Sequence, residues 1–211
     1  MLLFKSLQHY PLNILENLKR NITKHVSLSP DEIERFCSSF HFKEVRKKEL
    51  LLKEGEICRF EAFVNKGCFK VSHLDMKGVE HILNFAIEDW WIGDIESFTT
   101  QTPARLCIEA LEDSEIYIIG KKDKEALYEH LPKVEKLFRI MGQKNCVALQ
   151  RRMLDNLSKT ADDRYIDFLT RYPKIAPRLT NLQIAAYLGI SHEFLSKIRK
   201  KVVKKNQTLI R

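Results

Sequence analysis

The segment Thr180–Lys201, TNLQIAAYLGISHEFLSKIRKK, decides the fold of the C-terminal part of this chain. Thr180 and Gln183 have the spacing of a capping box, which predicts that a helix begins after Thr180. Gly189 can end this helix, because glycine adopts a left-handed backbone conformation without a Cβ penalty. Ser191 can then cap a second helix. The segment therefore predicts two short helices joined by a tight turn, a helix-turn-helix.

The two predicted helices have an apolar side and a polar side. The polar side carries hydrogen-bond donors, one carboxylate and cations, as a helix that lies in the major groove of DNA requires. An amphipathic hairpin that only packs a core is the alternative; the cap, the glycine, the apolar seam and the cationic face together favour DNA binding. The apolar positions are Ile184, Leu188, Ile190, Leu195 and Ile198, and the candidate DNA-binding residues are Thr180, Ser191, His192, Glu193, Ser196, Lys197, Arg199, Lys200 and Lys201.

The positive charge of the chain is concentrated in its C-terminal third. The 211 residues have a formal net charge of +8. Residues 151–211 contain 14 Lys and Arg against five Asp and Glu, whereas residues 1–150 have a net charge of −1. This asymmetry favours a polyanion-binding module attached to a neutral one. A solvated basic face without a ligand is the alternative, but the charge coincides with the predicted helix-turn-helix.

Composition predicts a cytoplasmic protein with no membrane partner. No apolar run approaches the ~20 residues of a membrane span, and the N-terminus lacks the apolar core of a signal peptide. The five cysteines are odd in number and scattered, and no pair has CxxC spacing. A metal or redox site is therefore poorly supported, and reduced thiols are expected.

The chain before the helix-turn-helix divides into three kinds of pattern. Residues 1–40 are predicted to be helical, from apolar positions that begin at Leu12 and a helix start at Ser29. Short strand-like runs and turns then occupy residues 40–119, which predicts a jelly roll or barrel. A long helix is predicted from about Lys133 to Leu157. The strand-like runs include Leu50–Leu52, Phe63–Val64, Cys68–Val71, His81–Phe85 and Leu106–Ala110.

The long helix carries an apolar stripe wider than one domain should cover. We therefore predict that much of this stripe packs against its copy in a homodimer. Packing within one chain is the alternative. A two-fold dimer also suits a helix-turn-helix protein, whose half-sites lie about one helical turn of DNA apart. The predicted dimerisation residues are Leu137, Met141, Asn145 and Ala148.

The order of a β-roll, a long helix and a C-terminal helix-turn-helix resembles the catabolite activator/fumarate-nitrate regulator (CRP/FNR) family over nearly the whole chain. Leu52–Glu56 and Asn65–Val71 resemble the two glycine turns of the family, and Trp91–Asp94 resembles the start of its phosphate-binding cassette. The resemblance implies an α+β fold that is organised as a β-roll sensor domain (residues 1–132), a dimerisation helix (133–158) and a DNA-binding domain (159–211).

The resemblance implies a transcription regulator and not an enzyme, with double-stranded DNA, a second copy of the chain and RNA polymerase as partners. His192–Lys197 resembles the family's Arg-Glu-x-x-x-Arg recognition pattern. Glu193 matches, and its carboxylate can accept a hydrogen bond from N4 of cytosine. Lys197 and His192 replace arginines, and lysine lacks the bidentate fork of arginine. The preferred DNA site is therefore expected to differ from the family's best-known consensus.

The sensor cassette departs further from the pattern that it resembles. In cyclic-AMP-binding members, a Gly-Glu pair contacts the ribose, and an arginine eleven residues after that glycine holds the phosphate. Here the pair is Gly93 and Asp94, Ala104 stands at the position of the arginine, and Arg105 comes one step late. One step on a strand turns a side chain to the other face, so a buried phosphate would lack its charge-assisted partner. The sequence disfavours cyclic AMP and leaves a small-molecule effector unidentified, whereas a β-bulge that turns Arg105 inward would restore the site.

Other functions remain as alternatives. A jelly-roll enzyme such as a metal-dependent cupin needs a His-x-His pair with further ligands, and His73 and His81 are too far apart to form one. These histidines are also the candidate ligands of a haem, although solvated or structural roles are favoured for both. A cyclic-nucleotide-controlled partner-binding module would not need the basic helix-turn-helix.

Overall fold

The structure of the chain, a computed structural model, describes residues 15–208, with side chains up to Val202. The helical prediction for the first residues, including Leu12, lies outside this part of the chain. The described elements follow the predicted order of helices, a β-roll, a long helix and a helix-turn-helix. The α+β fold class is therefore confirmed.

The helices and strands of the described residues have the following bounds. The helices are α1 (Glu16–Thr23), α2 (Pro30–Ser38), α3 (Ile95–Thr100), α4 (Lys121–His130), α5 (Pro132–Ser158), α6 (Ala161–Arg171), α7 (Asn181–Leu188) and α8 (His192–Thr208), with a short 3-10 helix at Ala176–Arg178. The strands are β1 (His41–Val45), β2 (Leu50–Leu52), β3 (Phe60–Lys66), β4 (Cys68–Leu74), β5 (Glu80–Ile87), β6 (Trp91–Ile92), β7 (Cys107–Ala110) and β8 (Ser114–Gly120).

Contacts within the chain form two compact units. Among the described residues, the first contains those up to Val71 together with Phe85–Asn145, and the second contains Ser72–Asn84 and those from Cys146 onward. The first part of α5 belongs to one unit and its end to the other. The division into three functional segments that the family resemblance implies stays a prediction.

The β-roll consists of two four-stranded sheets, with the strand orders β1-β8-β3-β6 and β2-β7-β4-β5. Side chains alternate across a strand. Ala62 and Val64 of β3 therefore lie in the interior of the roll, while Phe63 lies in the outer apolar layer. Strand β8 is buried on both faces, because Ile116 lies in the interior and Tyr117 in the outer layer.

Helices supply the rest of the outer apolar layer. Leu18 of α1, Phe36 of α2 and Leu137 of α5 are fully buried in it. Helix α2 starts with the predicted Ser29 cap, and the Glu32 carboxylate accepts a hydrogen bond from the Ser29 N–H at 2.7 Å. The beginning of α5 is thus part of the core of its own chain.

The second unit has its own small core, built from three helices. Phe168 of α6, Ile184 of α7 and Leu195 of α8 are all nearly or fully buried. The rings of Phe168 and Tyr187 lie 5.1 Å apart, close enough for a favourable aromatic contact. This core fixes α8 on α7 and leaves the opposite side of α8 in solvent.

Arg152, near the end of α5, joins three parts of the second unit. Its guanidinium donates hydrogen bonds to the carbonyl oxygens of Ile82 at 2.9 Å, Leu83, and Tyr187 at 2.7 Å. It also lies 4.1 Å from the centre of the Tyr187 ring, a cation–π contact. Burial lowers the pKa of the Arg152 guanidinium, and these partners compensate for the lost water. The end of α5 is therefore held to both β5 and α7.

Candidate functional site

Capping contacts set the geometry of the helix-turn-helix. The Thr180 hydroxyl accepts a hydrogen bond from the Gln183 N–H at 3.3 Å, and the Gln183 side chain accepts one from the Thr180 N–H at 2.8 Å. Gly189 ends α7 with a φ of +66°, in the left-handed region that favours glycine. The Ser191 hydroxyl accepts a hydrogen bond from the Phe194 N–H at 3.2 Å and so caps α8. The predicted helix-turn-helix is confirmed.

One side of α8 is buried and the other is polar. Leu195 is 0% and Ile198 is 2% exposed, as the apolar pattern predicted. The Ser196 hydroxyl is tied to the helix, because it donates a hydrogen bond to the carbonyl oxygen of His192 at 3.0 Å. We define the outer face of α8 as Glu193, Ser196, Lys197 and Lys200, with Ser191 and His192 at its N-terminal end.

The Glu193 carboxylate lies exposed in the first turn of α8. Its own backbone N–H, and next the Ser191 hydroxyl, hold the pKa of this carboxyl below its ordinary value. Lys197, one turn later, lowers the pKa further. Helix N-termini favour negative charge. These contacts support a structural role for Glu193, stabilisation of the helix start, whereas base reading by Glu193 stays a prediction.

Two of the predicted DNA-binding cations already have partners within the chain. The Lys201 Nζ lies 2.8 Å from a carboxylate oxygen of Asp162, and this ion pair raises the pKa of Lys201. Arg199 donates a hydrogen bond to the side-chain oxygen of Asn181. A phosphate contact by either residue would have to replace an existing partner. Lys200, exposed on the outer face, is therefore the stronger candidate.

Phe194 is a surface residue of α8 for which the sequence patterns predict no role. Its side chain is 45% exposed, although its neighbour Leu195 is fully buried. The exposure of Phe194 could have been predicted from its position on the helix, because Phe194 lies outside the buried seam of Leu195 and Ile198. The neighbouring surface residues are serines, lysines and a glutamate. Attraction of a charged surface to DNA does not require an apolar phenylalanine among them.

The predicted dimerisation residues do not share one environment. Leu137 is fully buried in the core of the first unit, and Met141 is half-buried against the same core. Asn145 is half-buried, whereas Ala148 is exposed. The assignment of the four residues to a dimer seam stays a prediction, and Leu137 fills the core of its own chain.

The exposed apolar side chains of α5 lie closer to its end. Leu149, Met153 and Leu157 are 47%, 65% and 76% exposed. With Cys146 they recur at intervals of three and four residues, so they share one face of the helix, which we call the α5 seam. The three apolar side chains also line a cavity of about 510 Å³ beside Arg152. The α5 seam is therefore the candidate contact surface for a second copy of the chain.

Asp94, the acidic residue of the predicted sensor cassette, makes its hydrogen bond within the protein. Asp94 is 3% exposed, and its carboxylate accepts a hydrogen bond from the Ser97 N–H at 3.1 Å, which caps α3. The Ser97 hydroxyl in turn accepts from the Cys58 N–H at 2.9 Å and donates to the Thr102 carbonyl at 2.6 Å. Gly93 allows close packing, because a Cβ there would lie 3.3 Å from the Phe60 carbonyl oxygen. Asp94 and Ser97 therefore bind backbone groups of the protein itself, at the position where the family resemblance implies a contact with a ribose.

The backbone register at Ala104 places Arg105 outside the roll. The Ala104 N–H donates to the carbonyl of Glu56, and the Gly55 N–H donates to the carbonyl of Ala104, both at 2.8 Å. The Ala104 side chain is buried, Arg105 is exposed, and Leu106 packs against the interior. A β-bulge that turned the Arg105 side chain into the roll would have restored the phosphate site, but in the structure this side chain is exposed.

Side chains of the protein itself fill the interior of the β-roll. The Phe98 side chain from α3 packs there, and Lys124 lies over its ring, 5.3 Å from the ring centre. The buried interior residues are Val45, Leu52, Cys58, Ala62, Val64, Phe69, Val71, Ala86, Ile92, Phe98, Ala104, Ile108, Ala110 and Ile116.

The described residues contain neither a recognisable metal site nor a membrane span. Between residues 15 and 208, no group of three or more His, Cys, Asp and Glu could hold a metal ion. His81, one of the two candidate haem ligands, has its Nε2 atom 3.0 Å from the Asp75 carboxylate. No helix in that range is long and apolar enough to cross a membrane.

The β-roll matches a known domain. Residues 42–130, from β1 to the end of α4, match the sequence model of the cyclic nucleotide-binding domain. Comparison with the sequences of characterised proteins gives no match to the chain.

Several solved structures share the fold over most of the chain. The c-di-GMP-responsive global regulator CLP of Xanthomonas campestris has a TM-score of 0.70 at 16% identity, covering 84% of this chain and 93% of CLP. FixK2 of Bradyrhizobium japonicum has a TM-score of 0.69 at 21% identity, covering 79% of this chain and 86% of FixK2. A CRP/FNR-family transcriptional regulator of Eubacterium rectale has a TM-score of 0.66 at 17% identity, with 84% and 85% coverage. At these identities the likeness shows the fold.

Proposed function

We propose that this chain is a CRP/FNR-family transcription regulator that binds double-stranded DNA as a homodimer. The observation that carries the proposal is the outer face of α8, an exposed surface with two lysines, a glutamate and hydroxyl groups on a firmly capped helix. The match of the β-roll to the cyclic nucleotide-binding domain and the fold shared with regulators support the family. An enzymatic role is not proposed, and RNA polymerase is the further partner that this family implies.

In this proposal, α8 enters the major groove and its N-terminal end approaches the phosphates and base edges. Ser191 and His192 lie at that end, and Lys197 and Lys200 follow on the same outer face. Lysine binds phosphate as a point charge, so Lys200 supplies affinity for every sequence. Sequence preference then depends on the groups that reach base edges, of which Glu193 is the first candidate.

Removal of the Lys200 charge should weaken DNA binding without changing which sequences are preferred. A phosphate contact releases counterions, so Lys200→Ala should reduce the slope of log affinity against log salt by about one for each half-site contact. The measurement is fluorescence anisotropy on duplex DNA over a salt series. Lys47→Ala, which removes an exposed lysine of the first unit, is the matched control. An unchanged slope for Lys200→Ala would assign the phosphate contacts to other residues, and a wild-type protein that fails to bind any duplex would end the proposal.

Cyclic AMP should not bind with useful affinity. By the family resemblance, Ala104 stands where an arginine would hold the phosphate; Arg105 is exposed, and Asp94 caps α3. A buried phosphate without a charge-assisted partner is strongly disfavoured. Calorimetric titration of the full chain with cyclic AMP should therefore show no saturable heat at micromolar concentrations. Saturable binding that Arg105→Ala abolishes would show that Arg105 reaches the nucleotide and would contradict this prediction.

A further inference from the structure

A large apolar side chain interrupts the polar surface of α8. Phe194 is 45% exposed, and an exposed phenyl ring is unfavourable in water. The core of the second unit already receives Leu195 and Ile198 from this helix, so the ring has no buried position to enter. The Ser191 cap on the Phe194 N–H fixes the backbone from which the ring projects. The ring is thus presented to solvent by a well-defined turn of helix.

We propose that Phe194 contacts the 5-methyl group of a thymine in the major groove and so contributes to the choice of DNA site. This inference rests on the proposed DNA-binding function and adds to it a readout element that contains no charge. Phe194 directly follows Glu193 and lies one turn before Lys197, so the ring stands beside the charged outer face.

The groups that DNA presents in its major groove identify the partner of the Phe194 ring. The lysines beside Phe194 attract a polyanion, which brings the ring against the edges of base pairs. Among the groups that the four base pairs present in the major groove, the thymine 5-methyl is the apolar one, and phenylalanine is among the side chains that contact it. A ring at this position therefore selects for thymine, whereas serine, lysine or glutamate would select for hydrogen-bonding groups.

The experiment uses uracil, which differs from thymine only by the missing methyl group. The full-length protein is titrated with its best-bound duplex, in which each thymine of one half-site is replaced in turn by uracil. For the wild-type protein, one replacement should weaken binding about fourfold, the effect of losing burial of one methyl group. For Phe194→Ala, affinity for the unmodified duplex should fall by a similar factor, and the same replacement should then have no effect.

Two further variants serve as controls. Phe194→Leu keeps an apolar side chain and should retain part of the discrimination between thymine and uracil. Leu182→Ala removes another exposed apolar side chain of the same unit, on α7, and should leave that discrimination intact. Melting curves should show that Phe194→Ala is folded, because Phe194 is 45% exposed and the buried positions of α8, among its described side chains, are Leu195 and Ile198.

The outcomes separate this inference from the function on which it rests. Equal weakening of every duplex by Phe194→Ala, with the response to uracil unchanged, would overturn the inference and assign the ring to sugar contacts or to a protein partner. A loss of folding in Phe194→Ala, with Phe194→Leu insensitive to the methyl group, would also overturn it. Failure of the wild-type protein to bind any duplex would instead remove the proposed function.

Discussion

Replacement of Met153 by glutamate should convert the protein from a dimer into a monomer at micromolar concentration. Met153 is 65% exposed at the centre of the α5 seam. In a two-fold dimer built on this seam, the two introduced carboxylates would face each other in an apolar interface, where unpaired charges are strongly unfavourable. The measurement is sedimentation or light scattering, combined with affinity for a palindromic DNA site. Affinity for the full site should fall roughly 100- to 10,000-fold, because the second half-site is no longer bound intramolecularly.

The matched control for the dimer prediction is Lys144→Glu. Lys144 is exposed and lies on the side of α5 opposite the seam, so a negative charge there should leave the dimer intact. Met141→Glu should in addition lower the melting temperature, because Met141 packs against the core of its own chain. If the Met153→Glu protein remains dimeric, the dimer interface is not formed by the α5 seam.

Cys146 offers an independent test of the same interface. A parallel two-fold arrangement of α5 places a seam residue opposite its own copy. Cys146 is exposed, whereas Cys37, Cys58 and Cys68 are buried. Mild oxidation with copper phenanthroline should therefore produce a covalent dimer that Cys146→Ser abolishes and Cys107→Ser does not. A cross-link that survives in Cys146→Ser would argue against the parallel seam.

Substitution of Glu193 should change which DNA sequences are bound. If the carboxylate accepts a hydrogen bond from cytosine N4, Glu193→Ala should relax the preference at one base pair of each half-site. The loss against the best site should be roughly 5- to 150-fold per half-site. Glu193→Gln should alter the preference too, because the amide introduces a donor. Selection from a random DNA pool gives the full preference profile for each variant.

The structural role of Glu193 makes the opposite prediction. The carboxylate is held by its own backbone N–H and by the Ser191 hydroxyl, contacts that stabilise the start of α8. If this is its whole role, Glu193→Ala and Glu193→Gln should lower the melting temperature and leave the preference profile unchanged. A profile identical to wild type at every position would end the base-reading hypothesis, even for a protein that still binds DNA.

The helix-turn-helix could be predicted because its boundaries depend on local chemistry. Thr180 with Gln183, Gly189 and Ser191 each fix a helix end through contacts within three or four residues, and such contacts can be read from the sequence. The order of β-roll, long helix and helix-turn-helix could also be predicted, because strand-like runs, turns and the helical period are local patterns. The exposure of Arg105 beside the buried Ala104 follows from the alternation of side chains along an extended segment, whereas the absence of a phosphate contact by Arg105 stays a prediction.

The remaining features depend on packing between distant segments. Strand β8 was not among the predicted strand-like runs, because it is buried on both faces and shows no alternation of apolar and polar residues. The apolar stripe of α5 was assigned as one face, although Leu137 is buried in the core of its own chain and Ala148 is exposed. The hydrogen bonds of Arg152 to β5 and α7 join segments about 70 and 35 residues away, which no spacing rule detects.

Selection of bound duplexes from a random DNA pool by the wild-type protein tests the central claim most directly. The account predicts enrichment of a two-fold-symmetric sequence whose half-sites lie about 10 base pairs apart, centre to centre, with binding that weakens steeply as salt increases. Enrichment should be lost in Met153→Glu, which keeps α8 but not the dimer. A pool that shows no enriched sequence after repeated rounds, at low as well as moderate salt, would contradict the assignment of this chain as a sequence-specific DNA-binding regulator.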